Sequence, residues 1–539
     1  MNEKKMHSLK DIAKLTDEPL YSLKLEDLIK LPFIDSEPPI EPASSSLSNK
    51  YDLSFDGFTP IGIPKPVTEQ EKQRLVDGFL SGLGKLFDPQ NNWTFLQAFK
   101  LSMDYCVQCQ TCADQCHVYL SSGRQEIYRP THRAEILRRI YKRYFTTGGS
   151  IFKSFVGADI ELNYKTVIRL LESSYRCSLC RRCAQACPVG VDNGLIAREI
   201  RKLFSQEMGI APDAIYKNGT RKHLHTGAAA GMTTEGFKNI IEFMEDDIHE
   251  KTGRKIKIPV DKKGADILLY NNVGEFISWV ENPEAFAILF DAAGINYTFS
   301  SEAIAMDGVN YGLYFDDIEL ARIGLRHLQI AKKLGVKKIV VGECGHAHKV
   351  FCVISDRVFP GDLSLSEIPR ESCFPLFWEI VKSGAVKFDP SKNDFYSTLQ
   401  DSCNYVRLMG IVQPQRQVIN AVVPKGKFRE MEPHGVRNFC CGGGSGFGIM
   451  HAHNFTQWRE KISIRMKAKQ ILDTFSDIIE PDIQKCIIAP CSNCKGSMRE
   501  IFGHYGIGEQ FNMNYTGLVE LMVNAMADLP EQFIDWEGE

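Results

Sequence analysis

Two adjacent cysteines, Cys440 and Cys441, open the glycine run of the stretch Asn438-Phe-Cys-Cys-Gly-Gly-Gly-Ser-Gly-Phe-Gly448. Neighbouring side chains converge on one centre only where the backbone turns sharply. Gly442, Gly443 and Gly444 permit such a turn, because without a Cβ they can take positive φ. The Cys-x-x-Cys pair Cys491 and Cys494 lies downstream and Cys403 lies upstream, so five thiols are available to one metal-cluster cradle. The glycines loosely resemble a phosphate loop, but no Gly-x-Gly-x-x-Gly with an acidic partner is present, so nucleotide binding is not expected.

A second set of cysteines is more specific. Cys106-x-x-Cys109-x-x-Cys112-x-x-x-Cys116 is followed by Cys177-x-x-Cys180-x-x-Cys183-x-x-x-Cys187-Pro188, two copies of a four-iron spacing. Three cysteines two residues apart wrap three corners of a cubane, and the displaced fourth reaches the other cluster. The first [4Fe-4S] cubane should therefore take Cys106, Cys109, Cys112 and Cys187, and the second Cys177, Cys180, Cys183 and Cys116. Structural zinc would use two separated Cys-x-x-Cys pairs instead. His117 stands where a proline usually follows the fourth cysteine. It is either a hydrogen-bond donor to cluster sulfur or an incidental solvated side chain.

These motifs sit in a chain of 539 residues with 43% hydrophobic content and net charge −3, the composition of a multidomain globular protein with no field for nucleic acid. The 17 cysteines and the lack of an apolar leader point to a reducing compartment and metal ligation rather than disulfides. No stretch is long and apolar enough to span a membrane, so no direct membrane span is expected.

Residues 1–65 are rich in proline, serine and charge and read as an extended or disordered arm. Thr68-x-x-Glu71 opens a connecting helix within 66–91. A ferredoxin-like domain follows at 92–210. Within it, the stripe His132, Arg133, Arg138, Arg139, Lys142 and Arg143 reads as a solvated face, a docking site for an acidic partner, or compensation for cluster charge. A linker is expected over 211–261, with 218–231 as a loop.

From 262 the pattern becomes α/β. Strands are expected at 265–270, 337–341, 395–400, 436–439 and 484–488, with helices at 283–293, 318–334 and 458–475. The order repeats, giving lobes at 262–390 and 391–525 and a tail at 526–539. Cys344 aligns with Cys491 and Ala347 with Cys494. Asn271-Asn272 stands opposite Cys403, and 303–308 opposite the cysteine pair. The first lobe is therefore degenerate. Because open α/β sheets bind ligands directly after their strands, facing lobes would bring Cys344, His346 and His348 to the five-cysteine site. The plainer reading of Cys344 is a buried thiol. The fold class is thus α+β multidomain, a helical ferredoxin-type domain ahead of a pseudo-duplicated α/β domain.

Cys403-x36-Cys440-Cys441-Gly442-x48-Cys491-x-x-Cys494 is similar to the CCG domain of heterodisulfide reductases. With the twin ferredoxin motif it resembles the HdrD-type fusion. The strings starting at Asn92 (NWTFLQAFK), Asp104 (DYCVQCQTC) and Tyr128 (YRPTHR) resemble more closely the DsrK family of iron–sulfur subunits of DsrMKJOP membrane complexes. That resemblance implies a non-cubane [4Fe-4S] cluster on Cys403, Cys440, Cys441, Cys491 and Cys494, supplied by two cubanes. It implies a peripheral position on the cytoplasmic face of the membrane, bound to a haem-b subunit of the DsrM type that exchanges electrons with quinone. It also implies a heterodisulfide-reductase-like activity on the disulfide or trisulfide of the small protein DsrC in dissimilatory sulfur metabolism. From the chemistry of sulfur–sulfur cleavage, Cys344 or a nearby histidine, His346 or His451, is expected to assist binding or protonation at the cluster. Two other readings compete: the electron-transfer subunit of a flavin-dependent glycolate, lactate or glycerol-3-phosphate dehydrogenase, and a zinc-stabilised binding module.

Overall fold

The computed structural model describes residues 8–302, 306–359, 368–534 and 536, so residues 303–305 of the stretch aligned with the cysteine pair lie outside the described residues. The chain forms two compact units. One comprises residues 1–216, 314–317 and 442–469, and the other 217–313, 318–441 and 470–539. The glycine run thus begins in one unit directly after the cysteine pair ends in the other.

The first unit is helical. Helices Glu69–Leu86, Leu96–Asp104, Pro130–Phe145, Tyr164–Ser174 and Asn193–Lys202 surround the two cysteine motifs. The capping box at Thr68 and Glu71 forms as expected. The arm, with 3-10 turns at Leu9–Ala13 and Leu25–Asp27 and a short helix at Ser45–Lys50, is fixed in place by buried cations. Arg169 donates to the carbonyls of Ile12 (2.9 Å), Lys14 (2.7 Å) and Thr16 (3.0 Å). Arg176 holds Asp56, and Arg465 holds Glu37. The arm is ordered by these charge-assisted bonds together with burial of Ile12, Leu28, Phe55, Phe58 and Ile61, apolar positions that its polar composition obscures. The basic stripe is not a solvated face in its first half, since His132, Arg133 and Arg138 are buried, with Arg138 bonded to Glu135 and to the Met103 carbonyl.

The second unit holds two four-stranded sheets of the same order. Strands β1 Ile267–Tyr270, β2 Tyr297–Thr298, β3 Lys338–Val341 and β4 Arg370–Ser372 run β2-β1-β3-β4. Strands β5 Tyr396–Leu399, β6 Phe428–Arg429, β7 Lys485–Ile488 and β8 Met513–Thr516 run β6-β5-β7-β8. All pairs are parallel, and the inner strands β1, β3 and β7 are the mostly apolar, buried runs that such sheets use. Leu269, Val340 and Phe374 of the first lobe and Leu399, Ile488 and Leu518 of the second belong to one buried core.

Four local expectations are corrected. Residues 436–439 form no strand; Gly435–Arg437 is a 3-10 turn and the edge strand is β6. The stretch 218–231 is not a loop but contains the helix Arg221–Thr226, ended by Gly227 at φ 85°. Within 211–261 the helix Thr234–Thr252 buries Phe237, Ile241, Met244 and Ile248, so this segment is part of the first lobe's packing. The expected helix over 458–475 is interrupted by a π turn at Arg459–Ser463 before Arg465–Thr474.

Candidate metal centres

In the helical unit the thiols group in the crossed pattern. The Cys112 thiol is pushed up to about 11 by burial and by the neighbouring Cys106, Cys187 and Cys109. Burial and the Cys177 and Cys180 thiols push Cys116 up to about 12 against the Tyr119 amide and Arg133, and Cys183 is raised by burial, Cys180, Asp192, Cys177 and Cys116. The last cysteine of each motif therefore joins the other motif's set. Tight turns put Gln108, Gln110, Leu179 and Arg181, the residues flanking Cys109 and Cys180, at positive φ. Cys109 is exposed, whereas Cys112 is buried.

The second thiol set lines a partly open pocket with His117, Ser178 and Arg133. His117 is buried, with Nε2 3.5 Å from Ser178 Oγ and a ring nitrogen within 4.8 Å of Cys180 Sγ; it is not solvated. Two buried cations flank the set. Arg133 has no bonded partner at Nε. Arg201 donates to the carbonyls of Ser174 (2.6 Å) and Cys177 (2.7 Å), and also to Ser445 Oγ. Among the described residues neither sits in an ion pair. A cation buried without a carboxylate calls for another anion, and a cluster held by four thiolates supplies one. The residues present fit an iron–sulfur cluster.

In the second unit the site lies at the carboxyl ends of β5 and β7, where strand order reverses and an open α/β sheet binds its ligands. Cys403 begins the helix Cys403–Met409, and Cys491 caps the helix Ser492–Tyr505. Helix amino termini favour thiolate. Cys491 is brought down to about 6 by the Cys494 thiol, Ser402 and the amides of Cys494 and Gly345, against burial. Cys494 is raised by hydrogen bonds with Cys441 and Cys491 and by burial. Cys441, Cys491 and Cys494 thus share one thiol network. Cys440 is the buried neighbour of Cys441, and Cys403 follows the Ser402 that bonds Cys491.

The facing lobe contributes Cys344, after β3. Its thiol accepts from the Ala347 amide at 3.4 Å and is raised by burial, Glu275 and Cys491, with Ser492 bonded to it. The adjacent Gly345 amide donates to Cys491 Sγ at 3.3 Å. His346 is engaged at Nε2 by the Asn310 carbonyl (3.0 Å) and lies edge-on to Tyr311. His348 bonds the Cys344 carbonyl and Ser372 Oγ. His451 belongs to the helical unit. The helix caps put Val273, not Asn271-Asn272, where Cys403 stands in the other lobe.

Of the three expected turn glycines only Gly442 takes positive φ, at 87°; the other positive values fall on Ser445 and Gly446. A Cβ on Gly442 would lie 2.6 Å from the Ser463 carbonyl oxygen, and one on Gly444 would lie 2.9 Å from the Ser178 carbonyl oxygen. Those glycines serve close backbone approach.

Several site residues carry no motif. Lys495, Glu520 and Glu343 form a buried ionic group beside Cys494 and Cys344. Glu275 is pushed up to about 7 by burial, against Lys495. Its Oε2 accepts from the Asn272 amide, and Asn272 Nδ2 donates to Ser492 Oγ at 2.8 Å. The sequence signal for Glu275 is the capping box Asn272-x-x-Glu275 at the helix that replaces the Cys403 helix.

Gly345→Ala is expected to disturb this site selectively. Its Cβ would stand 2.5 Å from Ser402 Oγ and 3.1 Å from Cys491 Sγ, an overpacking cost of about 1–3 kcal/mol. Iron content and thermal unfolding should both fall, with the dicluster iron retained.

The thiol sets and the two architectures define an iron–sulfur protein of the oxidoreductase class, a 4Fe-4S dicluster domain followed by a CCG cysteine-rich domain. Residues 102–191 match the family described as 4Fe-4S dicluster domain, and residues 397–499 match the cysteine-rich CCG domain. The chain is similar to the Hdr-like menaquinol oxidoreductase iron-sulfur subunit 2 of Archaeoglobus fulgidus, 28% identical over 401 residues, covering 65% of this chain and 68% of that one. It is equally similar to the Hdr-like menaquinol oxidoreductase iron-sulfur subunit of Archaeoglobus profundus, 28% identical over 424 residues, covering 70% and 71%. These similarities support the HdrD-like family. No helix among the described residues is long and apolar enough to cross a membrane.

Proposed function

We propose that the chain is the redox-active subunit of a membrane-associated complex that exchanges electrons between a quinol-linked haem-b subunit and the sulfur–sulfur bond of a small protein. The observation that carries this reading is the shared network of Cys441, Cys491 and Cys494 at the strand-order reversal, next to the single cysteine of the facing lobe. DsrC, as disulfide or trisulfide, is the proposed substrate, and DsrM-type and other DsrMKJOP-type subunits are the proposed partners on the cytoplasmic face. When bound, two cubanes would supply single electrons and a non-cubane cluster on the five cysteines would supply a thiophilic site.

The chain's own residues would then do the following. Cys106, Cys109, Cys112 and Cys187 hold the first cubane, and Cys116, Cys177, Cys180 and Cys183 the second. Arg133 and Arg201 balance the charge of the second set. The Gly345 amide and Ser402 hydroxyl orient Cys491. Glu275, a buried carboxyl close enough to Cys344 to raise its thiol, holds a proton beside the site, and the Asn272 side-chain amide orients the Ser492 hydroxyl that bonds the Cys344 thiol. The menaquinol named for the relatives supports quinol as the membrane-side redox partner.

The test is metal and sulfide analysis of anaerobically purified protein, followed by assay on a disulfide-bearing protein without any flavoprotein. About twelve irons per chain, no zinc and direct disulfide reduction are expected. About eight irons and no reduction would reduce the chain to an electron wire.

A further inference from the structure

We propose that residues 144–156 insert into the headgroup region of an anionic lipid bilayer, giving this chain a direct membrane contact besides any made through partner subunits. The segment follows the helix Pro130–Phe145, whose last turn carries Lys142 and Arg143. Tyr144, Phe145, Ile151, Phe152, Phe155 and Val156 are all exposed, Phe155 at 93%, Ile151 at 77% and Phe152 at 58%. Nowhere else among the described residues do so many large apolar side chains stand exposed together.

The segment is built rather than loose. Gly148 turns the chain at φ 77° and Gly157 closes it at φ 69°. Between them lie the single turns Gly149–Phe152 and Lys153–Val156. Gly149 packs so closely on the Lys142 carbonyl that a Cβ would lie 1.8 Å from its oxygen, and Thr146 Oγ1 bonds the same carbonyl at 2.5 Å. The turns therefore present their apolar side chains outward from a fixed base.

Charge identifies the occupant. No acidic residue occurs between Glu135 and Asp159. Glu135 is taken by Arg138 and Arg139, and Asp159 by Lys10. Among the described residues Lys142, Arg143 and Lys153 enter no ion pair. Apolar side chains ringed by uncompensated cations match the hydrocarbon boundary and the anionic headgroups together. Because the proposal needs neither the clusters nor their substrate, it fails or holds independently of the redox reading.

The test is flotation of the full, iron-loaded chain with vesicles of phosphatidylcholine alone or mixed with phosphatidylglycerol. Binding to the mixed vesicles is expected, weakened by salt. Phe152→Ser with Phe155→Ser should lower it roughly tenfold or more, and Lys142→Gln with Lys153→Gln should lower it roughly fivefold or more and erase the preference for the anionic lipid. Both double variants should keep the wild-type iron content and melting, since they alter only partly or fully exposed side chains. A wild-type chain that ignores the mixed vesicles, or phenylalanine variants that float as well as it does, overturns the proposal. So does a chain that floats with neither vesicle while the phenylalanine variants lose a protein partner, which would mark the surface as a protein dock.

Discussion

Cys441→Ala is expected to abolish sulfur–sulfur reduction, by about a thousandfold or more, and to lower iron from about twelve to about eight per chain. Both cubanes should remain reducible by dithionite. The reason is that Cys441 is one end of a hydrogen-bonded run of three thiols, with Cys494 held between it and Cys491. Without it the cradle loses a ligand at the sharp turn into Gly442. Cys373→Ala is the matched control, because that buried thiol lies in the apolar core and should cost stability without iron. Turnover and iron unchanged in Cys441→Ala would remove the five-cysteine site from the reaction.

Arg201→Gln is expected to have the second largest effect. The guanidinium ties the Ser174 and Cys177 carbonyls to Ser445 Oγ and lies over Tyr175 at 4.3 Å. Glutamine can keep at most part of that set. Each buried acceptor left unpaired costs about 1–3 kcal/mol, so urea unfolding should show a loss of about 2–5 kcal/mol. A purely structural role would stop there. A nearby cation also favours the reduced, more negative form of a cluster, so the potential of the second cubane should fall in Arg201→Gln and return in part in Arg201→Lys. An unchanged potential would limit Arg201 to holding the loop.

Much of the chemistry was legible because cluster ligation is written in short spacings. The two Cys-x-x-Cys-x-x-Cys-x-x-x-Cys runs and the five later cysteines needed only counting. The crossed grouping followed from the reach of the fourth cysteine, and the structure brings the thiols together that way. The repeat in the α/β part was legible because its inner strands β1, β3 and β7 are short, mostly apolar runs. The edge strand β6 carries no such signal: two residues long and half-buried, it has no periodicity to detect.

What the sequence determined by itself is therefore the local grammar: ligand spacing, the strand–helix repeat, the capping boxes, and the absence of four of the five cysteines from the first lobe. What only the tertiary structure decided are the partnerships between distant segments. Arg169 orders an arm that its composition left open. The basic stripe turns inward, so that Arg133 lines the second thiol set. Cys344 joins the network from the opposite lobe, while His346 and His348 bond main-chain and hydroxyl oxygens. The residues after the cysteine pair pack within the helical unit. The physical reason is range. Backbone propensity and metal spacing act over a few residues, whereas burial, charge pairing and close backbone approach depend on which distant surfaces meet, and no local pattern encodes that.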